Sequence, residues 1–501
     1  VRRMIAAGLG TAAALAGAAT LPSWLPQRVI ALRGAIFALV NGEEGMSVLD
    51  RPGGPEEFVR VYGDPAANGR SHGAGLSDLF WYWLAPGPEV HQEHLEPGPR
   101  YDQAARTTRT ILASRSKDEW ADLVTRCTAR VLDELPGKPA GRPVPGQRIQ
   151  QVRLRDLMMP IWAEAYYEVV FGEPCPRFVR DLIVGNADDV VSALKCTSLR
   201  HMKRRDRLTR YLRARIDAGQ VGFDLPSLMT PQEQACYLQG AFFNTAIVQM
   251  SEAMAHLLLA VAEHEEVQER LQREPSDDDY LSDVINETLR VWPLFGIAHR
   301  IVTADIDVDP PITAGTVLLF DYPGFHHTGR PALSDPALSD PALSDPALSD
   351  PALSDPALSD PTQFDPDRWR QRHGRPPHHI PFGVSANRPC PARGIAPPGM
   401  RAATREVLRR YTLSSSAAHT RSLPNRGPVL LTRRSEPAPT PARLRQLRWA
   451  DRWQDVPRSL TQLAFGTIMV LDARRLALAR TYFAEHPEQV PASSRPTEEA
   501  V

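Results

Sequence analysis

The chain has 501 residues, long enough for one large enzyme core or for several domains. Its 58 Lys plus Arg against 59 Asp plus Glu give a net charge of -1, and 42% of residues are apolar, which excludes a disordered polyelectrolyte and supplies no global electrostatic reason to bind nucleic acid. The five cysteines, Cys127, Cys175, Cys196, Cys236 and Cys390, contain no CxxC pair and leave one over, which argues against a disulfide scaffold or a four-cysteine zinc site and for a reducing, cytoplasmic compartment.

Arg2 and Arg3 precede a run from Met4 to Leu21 built largely of Ala and Gly, which suits a weak signal peptide, a short membrane anchor or a soluble helix. Residues 1–44 are therefore set apart. No later stretch offers 18 uninterrupted apolar residues, so a polytopic membrane protein is excluded. Gly and Pro break the segment from Gly42 to Pro99 into short strands and loops, and a helix is predicted from Arg100 to Glu134, ahead of a Pro/Gly linker through Pro145. Another helix starts at Leu154 and stops near Gly172 and Pro174. The arginine-rich stretch from Leu199 to Ile216 spreads its charges around a helix, as a solvated face or a docking surface for lipid or an acidic partner would.

The longest predicted helix runs from Pro231 to Leu271, with almost no charge between Gly240 and Met254, as a helix buried on most sides requires. Its polar residues Asn244, Thr245, Gln249 and Glu252 must each find a partner or line a wet cavity. A helix over Asp278–Val291 and strands over Ile301–Pro310 and Thr313–Phe320 follow. Six copies of Pro-Ala-Leu-Ser-Asp fill 331–360, where proline at every fifth position forbids an uninterrupted helix or a central strand and predicts a surface excursion of turns. Beyond it lie a loop with His378, His379, Phe382, Arg388 and Cys390, a helix over Arg401–Arg410, a strand near Arg426–Thr432, and a helical appendage from Leu444 to Phe483.

Glu287 and Arg290 share one helix face, where a partly buried ion pair can orient the arginine for further hydrogen bonds. Taken with Pro293, Arg300, Phe364-x-Pro366-x-Arg368-Trp369, Pro381-Phe382-Gly383, Arg388-Pro-Cys390-Pro-Ala392 and Leu423-Pro-Asn-Arg426-Gly427-Pro428, in this order and spacing, the chain resembles the cytochrome P450 family. The resemblance covers about residues 45–433, with 434–501 as a helical extension. It implies a mainly α fold with small β-sheets, a long central helix, and haem between that helix and the Cys390 loop.

By that resemblance Cys390 is the axial thiolate of a haem b, Arg300 and Arg388 meet haem propionates, and Glu287, Arg290 and Arg368 form the charge network behind the cysteine loop. Tyr101, Arg106 and Arg109 are candidates for a further propionate contact. The implied activity is monooxygenation of an apolar organic substrate, with electrons from a ferredoxin or flavodoxin and its reductase. The sequence departs from the family in two places. The loop from Phe382 to Cys390 is one residue longer than usual, with Ser385 and Ala386 where glycines are expected. Counting back from His264-Glu-Glu-Val267-Gln268 also puts Gln249 at the place of the family's threonine, Val248 at that of its acid, and Thr245-Ala246 at the small-residue kink. A second register, on Asn244-Thr245, restores the alcohol at the expense of the distance. A glutamine cannot act as an ordinary acid near neutral pH, though it can position a water relay through Asn244 or Glu252. Use of peroxide, a rearrangement or dehydration, and an inactive haem-containing binding protein are the alternatives. Phe242, Phe243 and Leu294 are candidate pocket residues.

Overall fold

A computed structural model describes residues 20–41, 54–73, 75–135, 149–328, 360, 362–370 and 378–490. Most of the run ahead of Leu21, the linker at 136–148 and the Pro-Ala-Leu-Ser-Asp repeats lie outside these residues. The first half carries helices α1 (Leu21–Asn41), α2 (Gly54–Gly63), α3 (Gly75–Leu84), α4 (Pro99–Leu112) and α5 (Lys117–Glu134), strand β1 (Ile149–Arg153), and helices α6 (Leu154–Phe171), α7 (Arg177–Leu194) and α8 (Met202–Asp217). The central helix α9 spans Pro231–Glu263. After it come α10 (Glu265–Arg273), α11 (Asp278–Val291), β2 (Ile297–Ile301), β3 (Val317–Asp321), α12 (Tyr322–Thr328), α13 (Ala396–Arg410), β4 (Tyr411–Ser414), β5 (Pro428–Arg433), α14 (Pro441–Leu476) and α15 (Leu478–Glu485).

Several boundaries differ from the sequence reading, each for a local reason. Residues 54–84, expected as strands and loops, hold two helices. Pro55 sits in the first turn of α2, where a missing N–H costs nothing, and Glu56 and Glu57 favour the positive helix end, while Phe58, Val61 and Tyr62 share one face. The expected helix over 100–134 is split because Ser116 and Glu119 form a reciprocal capping box that starts α5 afresh. The central helix ends at Glu263 rather than Leu271: His264 leaves the helical region and its Nδ1 takes up the Ala260 carbonyl at 2.8 Å. Pro397 and Pro398 open α13 five residues before the predicted start.

The sheets are small, as expected. β1, β5 and β4 form an antiparallel sheet in that order, with Gln151 opposite Leu430 and Leu413 opposite Leu431. β2 and β3 form a two-stranded ribbon that places Arg300 opposite Leu318. One continuous apolar core unites α5, α6, α9 and α13, with α6 packed along α9 and α5 along α13. Among the described residues α9 is the one helix long and apolar enough to cross a membrane, yet 78% of its most apolar window is buried inside the protein. Of the basic residues in α8, Arg205 turns inward onto the carbonyl of Ala85, and Arg215 packs on the Phe171 ring, so the outward charge is narrower than the sequence suggests.

Candidate active site around Cys390

The loop before α13 is shaped by two left-handed residues, Gly383 (φ 73°) and Arg388 (φ 48°), which let the chain fold back until the Cys390 N–H donates to the Phe382 carbonyl at 3.0 Å. Asn387 fills the interior of the lengthened loop and donates to the carbonyls of Tyr62, Asp64 and Ala67 at 2.9–3.1 Å, tying it to the end of α2. Cys390 caps the 3₁₀ turn Pro391–Gly394, and the N–H groups of Ala392 and Arg393 point at its sulfur. Burial pushes its thiol up to about 11, those N–H groups pull it down, and Glu93 pushes it up again. The free thiol is therefore protonated at neutral pH, and a metal ion on the sulfur would displace that proton.

Beside it lies a cluster of guanidinium groups, Arg70 and Arg300 buried and Arg388 half-buried. Arg300 projects from β2 and donates to the Tyr62 hydroxyl at 2.7 Å, which also accepts from Tyr322 at 2.8 Å. Arg388 stacks 3.9 Å above the Tyr101 ring and donates to the Leu95 carbonyl at 2.8 Å. Arg70 reaches Glu93 at 3.3 Å and the His299 carbonyl at 3.4 Å. Burial first, and then the charges of Arg300 and Arg388, lower Arg70 to about 9. Burial and Arg300 likewise lower Arg388 to about 10, against the opposing pull of Tyr101. Burial raises the Glu93 carboxyl, but Arg70, Arg300, His91 and Arg388 outweigh it and hold it below its ordinary value. Arg70 Nε, Arg300 Nε, Arg388 Nη2, His91 Nδ1 and His94 Nδ1 are all buried without a hydrogen-bond partner. Five unmet nitrogen sites among three guanidinium groups and two imidazoles form a setting in which a multiply accepting anion would relieve a real desolvation cost.

The third wall is α9. Between Ala235 and Val261 its residues are buried except for Ala241, Thr245, Ala246, Val248, Gln249 and Glu252. Ala241, Thr245, Val248, Gln249 and Glu252 recur at helical spacing, so a single stripe of this core helix borders open space. Glu93 keeps 44% of its side-chain surface exposed while paired with Arg70. Tyr166, fully buried on α6, links the walls: its ring lies 6.4 Å from that of Phe242, and the Cys390 sulfur adds to the burial that raises its phenol. Within α9 the segment Ala241–Ala246 is a π-helical turn, an irregularity that often marks a functional position.

The structure thus brings Cys390, Arg300, Arg388 and Tyr101 together and places Thr245 and Gln249 one turn apart on the accessible stripe. Thr245 Oγ1 is 2.8 Å from His91 Nε2. Asn244 is buried on the other side of the helix, and its Oδ1 accepts from Asn186 Nδ2 of α7. Glu252 is held by Lys195 and by Arg155 at 3.4 Å, with Lys195 lowered to about 8 chiefly by burial. Phe242 and Phe243 point into the core, against Tyr166 and Phe171. Arg106 and Arg109 lie on the exposed face of α4. Arg70, Glu93, His91, His94, Tyr62 and His299 join the site without any motif to mark them. For His91, Glu93 and His94 the one sequence signal is the density of titratable residues from Glu89 to Glu96, in a stretch without helical periodicity; Arg70, Tyr62 and His299 have none.

Behind the loop, Glu287 is fully buried and accepts from Arg290 Nε at 2.8 Å, Arg368 Nε at 2.9 Å, Trp369 Nε1 at 2.9 Å and the Asp365 N–H at 2.9 Å. Arg290 and Arg368 also converge on the Gln363 carbonyl at 3.1 and 3.0 Å.

No family model matches the sequence, and no curated protein is similar to it. Solved structures are. CYP175A1 from Thermus thermophilus superposes with a TM-score of 0.55 at 16% identity, over 78% of this chain and 89% of that one. The retinoic-acid-bound cyanobacterial CYP120A1 gives 0.55 at 15% identity over 75% and 87%, and a six-coordinate cytochrome P450 from Thermus thermophilus 0.52 at 16% over 75% and 91%. This chain has the cytochrome P450 fold. A P450 fold implies a haem group, and the residues present fit one: a lone thiol held by backbone N–H groups, with unpaired guanidinium donors to one side that match the two carboxylates a haem carries.

Proposed function

We propose that this protein is a haem-thiolate oxidoreductase, acting as a monooxygenase on an apolar organic substrate. The observation that carries the reading is the excess of incompletely paired guanidinium groups, Arg70 and Arg300 buried and Arg388 half-buried, beside the Cys390 thiol. Among the described residues no three His, Cys, Asp or Glu side chains gather as a metal site, so Cys390 does not belong to a three- or four-ligand protein metal site of that kind. Cys390 would hold the iron of a non-covalently bound haem b, and the three arginines would hold its propionates. The haem, when bound, supplies the redox centre for oxygen transfer.

The chain's own residues would do the rest. Ala241 and Val248 on the accessible stripe, with the half-buried Leu294, would give the site an apolar lining for substrate. Thr245 is the one hydroxyl on the accessible stripe of α9, and His91, kept neutral by burial at about 4, fixes its orientation. Gln249, one turn on, can donate and accept and so hold a water, but it cannot release a proton. Glu252 is held in ion pairs with Arg155 and Lys195. Electrons would come from a ferredoxin or flavodoxin with its reductase. The absence of an unpaired acid on this stripe favours one second reading, in which peroxide serves as the oxidant and no delivered proton is needed to generate it.

The test is a reduced-plus-carbon-monoxide difference spectrum of protein expressed with haem supplied, beside Cys390→Ser. The expected result is the long-wavelength Soret band of thiolate-ligated haem in the wild type and its loss in the variant. Wild-type protein that takes up no haem would remove the proposal. Product formation with a reduced ferredoxin separates the first reading from the second, which predicts turnover with peroxide alone.

A further inference from the structure

We infer that α1 and α14, with the adjoining end of α8, form a face that docks onto an anionic lipid bilayer. Of twelve large hydrophobic side chains exposed among the described residues, eight belong to α1 or α14. The two helices lie side by side and run the same way: Gly466 faces Arg33, and farther along both, Arg474 donates to the Val40 carbonyl. The inner side of α14 is spoken for by Met469 and Ala473, packed with Leu79, Tyr82 and Cys196. Its outer side is a ridge of Leu460 (52% exposed), Ala464, Ile468 (50%) and Leu471 (54%), at helical spacing and without a charge. Trp24 and Leu39 of α1 and Trp449 of α14, which is 64% exposed, extend the same apolar character, and an indole at such a position suits a membrane interface. So many large apolar side chains exposed on two neighbouring helices are not what water selects.

The charge identifies the occupant. In a chain of net charge -1, α1 and α14 together carry nine arginines against three aspartates, with no lysine or glutamate. The positive field continues sideways. Arg200 stacks 3.9 Å above Tyr82 of α3, and the Asp472 carboxyl on α14 is lowered by hydrogen bonds from Arg475 and Tyr82 and then by the charges of Arg475 and Arg200. From there a cleft of about 730 Å³ opens along α8, lined by His201, Lys203, Arg204, Arg207 and Arg210 with Asp189 and Asp206. Exposed apolar ridges bordered by arginine, with few acids, match acyl chains beneath anionic headgroups.

The experiment is co-sedimentation of the full chain with phosphatidylcholine vesicles and with vesicles containing roughly a third phosphatidylglycerol, at low and high salt. Binding is expected to be at least about tenfold tighter to the anionic vesicles and to fall about tenfold or more when Leu460→Glu, Ile468→Glu and Leu471→Glu are combined. These side chains are exposed, so the helical circular dichroism should be unchanged; Lys203→Gln with Arg207→Gln and Arg210→Gln, which leaves the ridge alone, should abolish most of the preference for anionic lipid. Equal binding to both vesicle types, no binding, or binding indifferent to both variants would overturn the inference. So would binding that disappears on removal of residues 1–19 while the ridge variant keeps it, or a dimer dissociated by the ridge substitutions without any vesicle binding, which would make the face a contact between copies.

Discussion

Thr245 Oγ1 and His91 Nε2 lie 2.8 Å apart, joining the π-helical turn of α9 to a histidine in the loop before α4. The contact depends on a glycine one turn earlier. A Cβ at Gly240 would stand 2.8 Å from His91 Cδ2, closer than the ring can tolerate where it is. Gly240→Ala therefore sets a gain of about 1 kcal/mol in helix propensity against about 1–3 kcal/mol of overpacking. Overpacking outweighs propensity, and melting should show a modest net loss of stability. Displacement of His91 should also free the Thr245 hydroxyl, so activity should fall more than the stability change explains. Gly240→Ala with unaltered melting and unaltered turnover would show that His91 does not fix Thr245.

Glu287 carries a heavier load. It is fully buried and is the carboxylate shared by Arg290 and Arg368. Glu287→Gln keeps the shape but removes the negative charge that the Arg290 and Arg368 guanidinium groups share, and breaking a buried pair in this way costs about 3–5 kcal/mol. Denaturant unfolding should show a loss of that size, with reduced soluble yield. Arg370→Gln, whose partners Asp277 and Asp283 are near the surface, should cost no more than about 1 kcal/mol.

The contrast between Glu287 and the arginine cluster explains what a sequence can reveal. Glu287 and Arg290 are three residues apart on one helix, so their pairing is local and legible. The uncharged centre of α9 likewise announces a core helix, and the Pro and Gly content of the segment before α13 marks a loop. Arg70 and Glu93, by contrast, take their meaning from strand β2, which arrives from more than two hundred residues later with Arg300 and the His299 carbonyl. No spacing rule connects them. The helices α2 and α3 escape a sequence reading because Gly54, Pro55 and Gly75 look like breakers, when they stand at helix starts. For Asn244 and Glu252, composition alone shows that a partner is needed. Only the packing of α6 and α7 against α9 decides that the partners are Asn186, Arg155 and Lys195 instead of a water relay.

His326 makes the fold sensitive to acid. It is 4% exposed, and burial, then His327 and Arg290, lower its pKa from 6.5 to about 3, against weaker opposition from the backbone at Leu289 and Arg290. The His379 ring, 5.6 Å away, and Tyr322, 5.8 Å away, complete its surroundings. Because the folded state resists the proton that the unfolded state accepts, the contribution is fully present above pH 6.5 and is lost as pH falls from there toward about 3. Its Nε2 accepts the Ile380 N–H at 3.2 Å, which a protonated ring cannot do. His326→Gln retains an acceptor and does not titrate. Melting at about pH 7.5 and pH 5 should show a smaller acid loss in the variant than in the wild type, and equal losses would assign the acid sensitivity to other buried histidines such as His256.

Besides Glu252, which is ion-paired with Lys195 and Arg155, the accessible stripe of α9 offers Thr245 and Gln249 for the proposed chemistry, and they are not equivalent. Thr245 has a hydroxyl that can pass a proton along, is fixed by His91 and sits in the irregular turn. Gln249 has an amide that can order a water but has no proton to give near neutral pH. If proton delivery limits turnover, Thr245→Val should lower it by about 10²-fold or more, the usual scale of a positioned proton-transfer group, and Thr245→Ser should recover most of the loss. Gln249→Leu should cost less, on the order of the hydrogen bond it made to a water. Both variants should bind haem as the wild type does, because neither touches the Cys390 loop or the arginine cluster, and the carbon monoxide spectrum verifies that independently. The same pair tested with peroxide distinguishes the two oxidants: activity with peroxide that is indifferent to Thr245→Val, alongside lost activity with a ferredoxin, places the hydroxyl in proton delivery. A loss centred on Gln249→Leu, with Thr245→Val silent, would instead put the water-holding amide at the reacting end of the cavity.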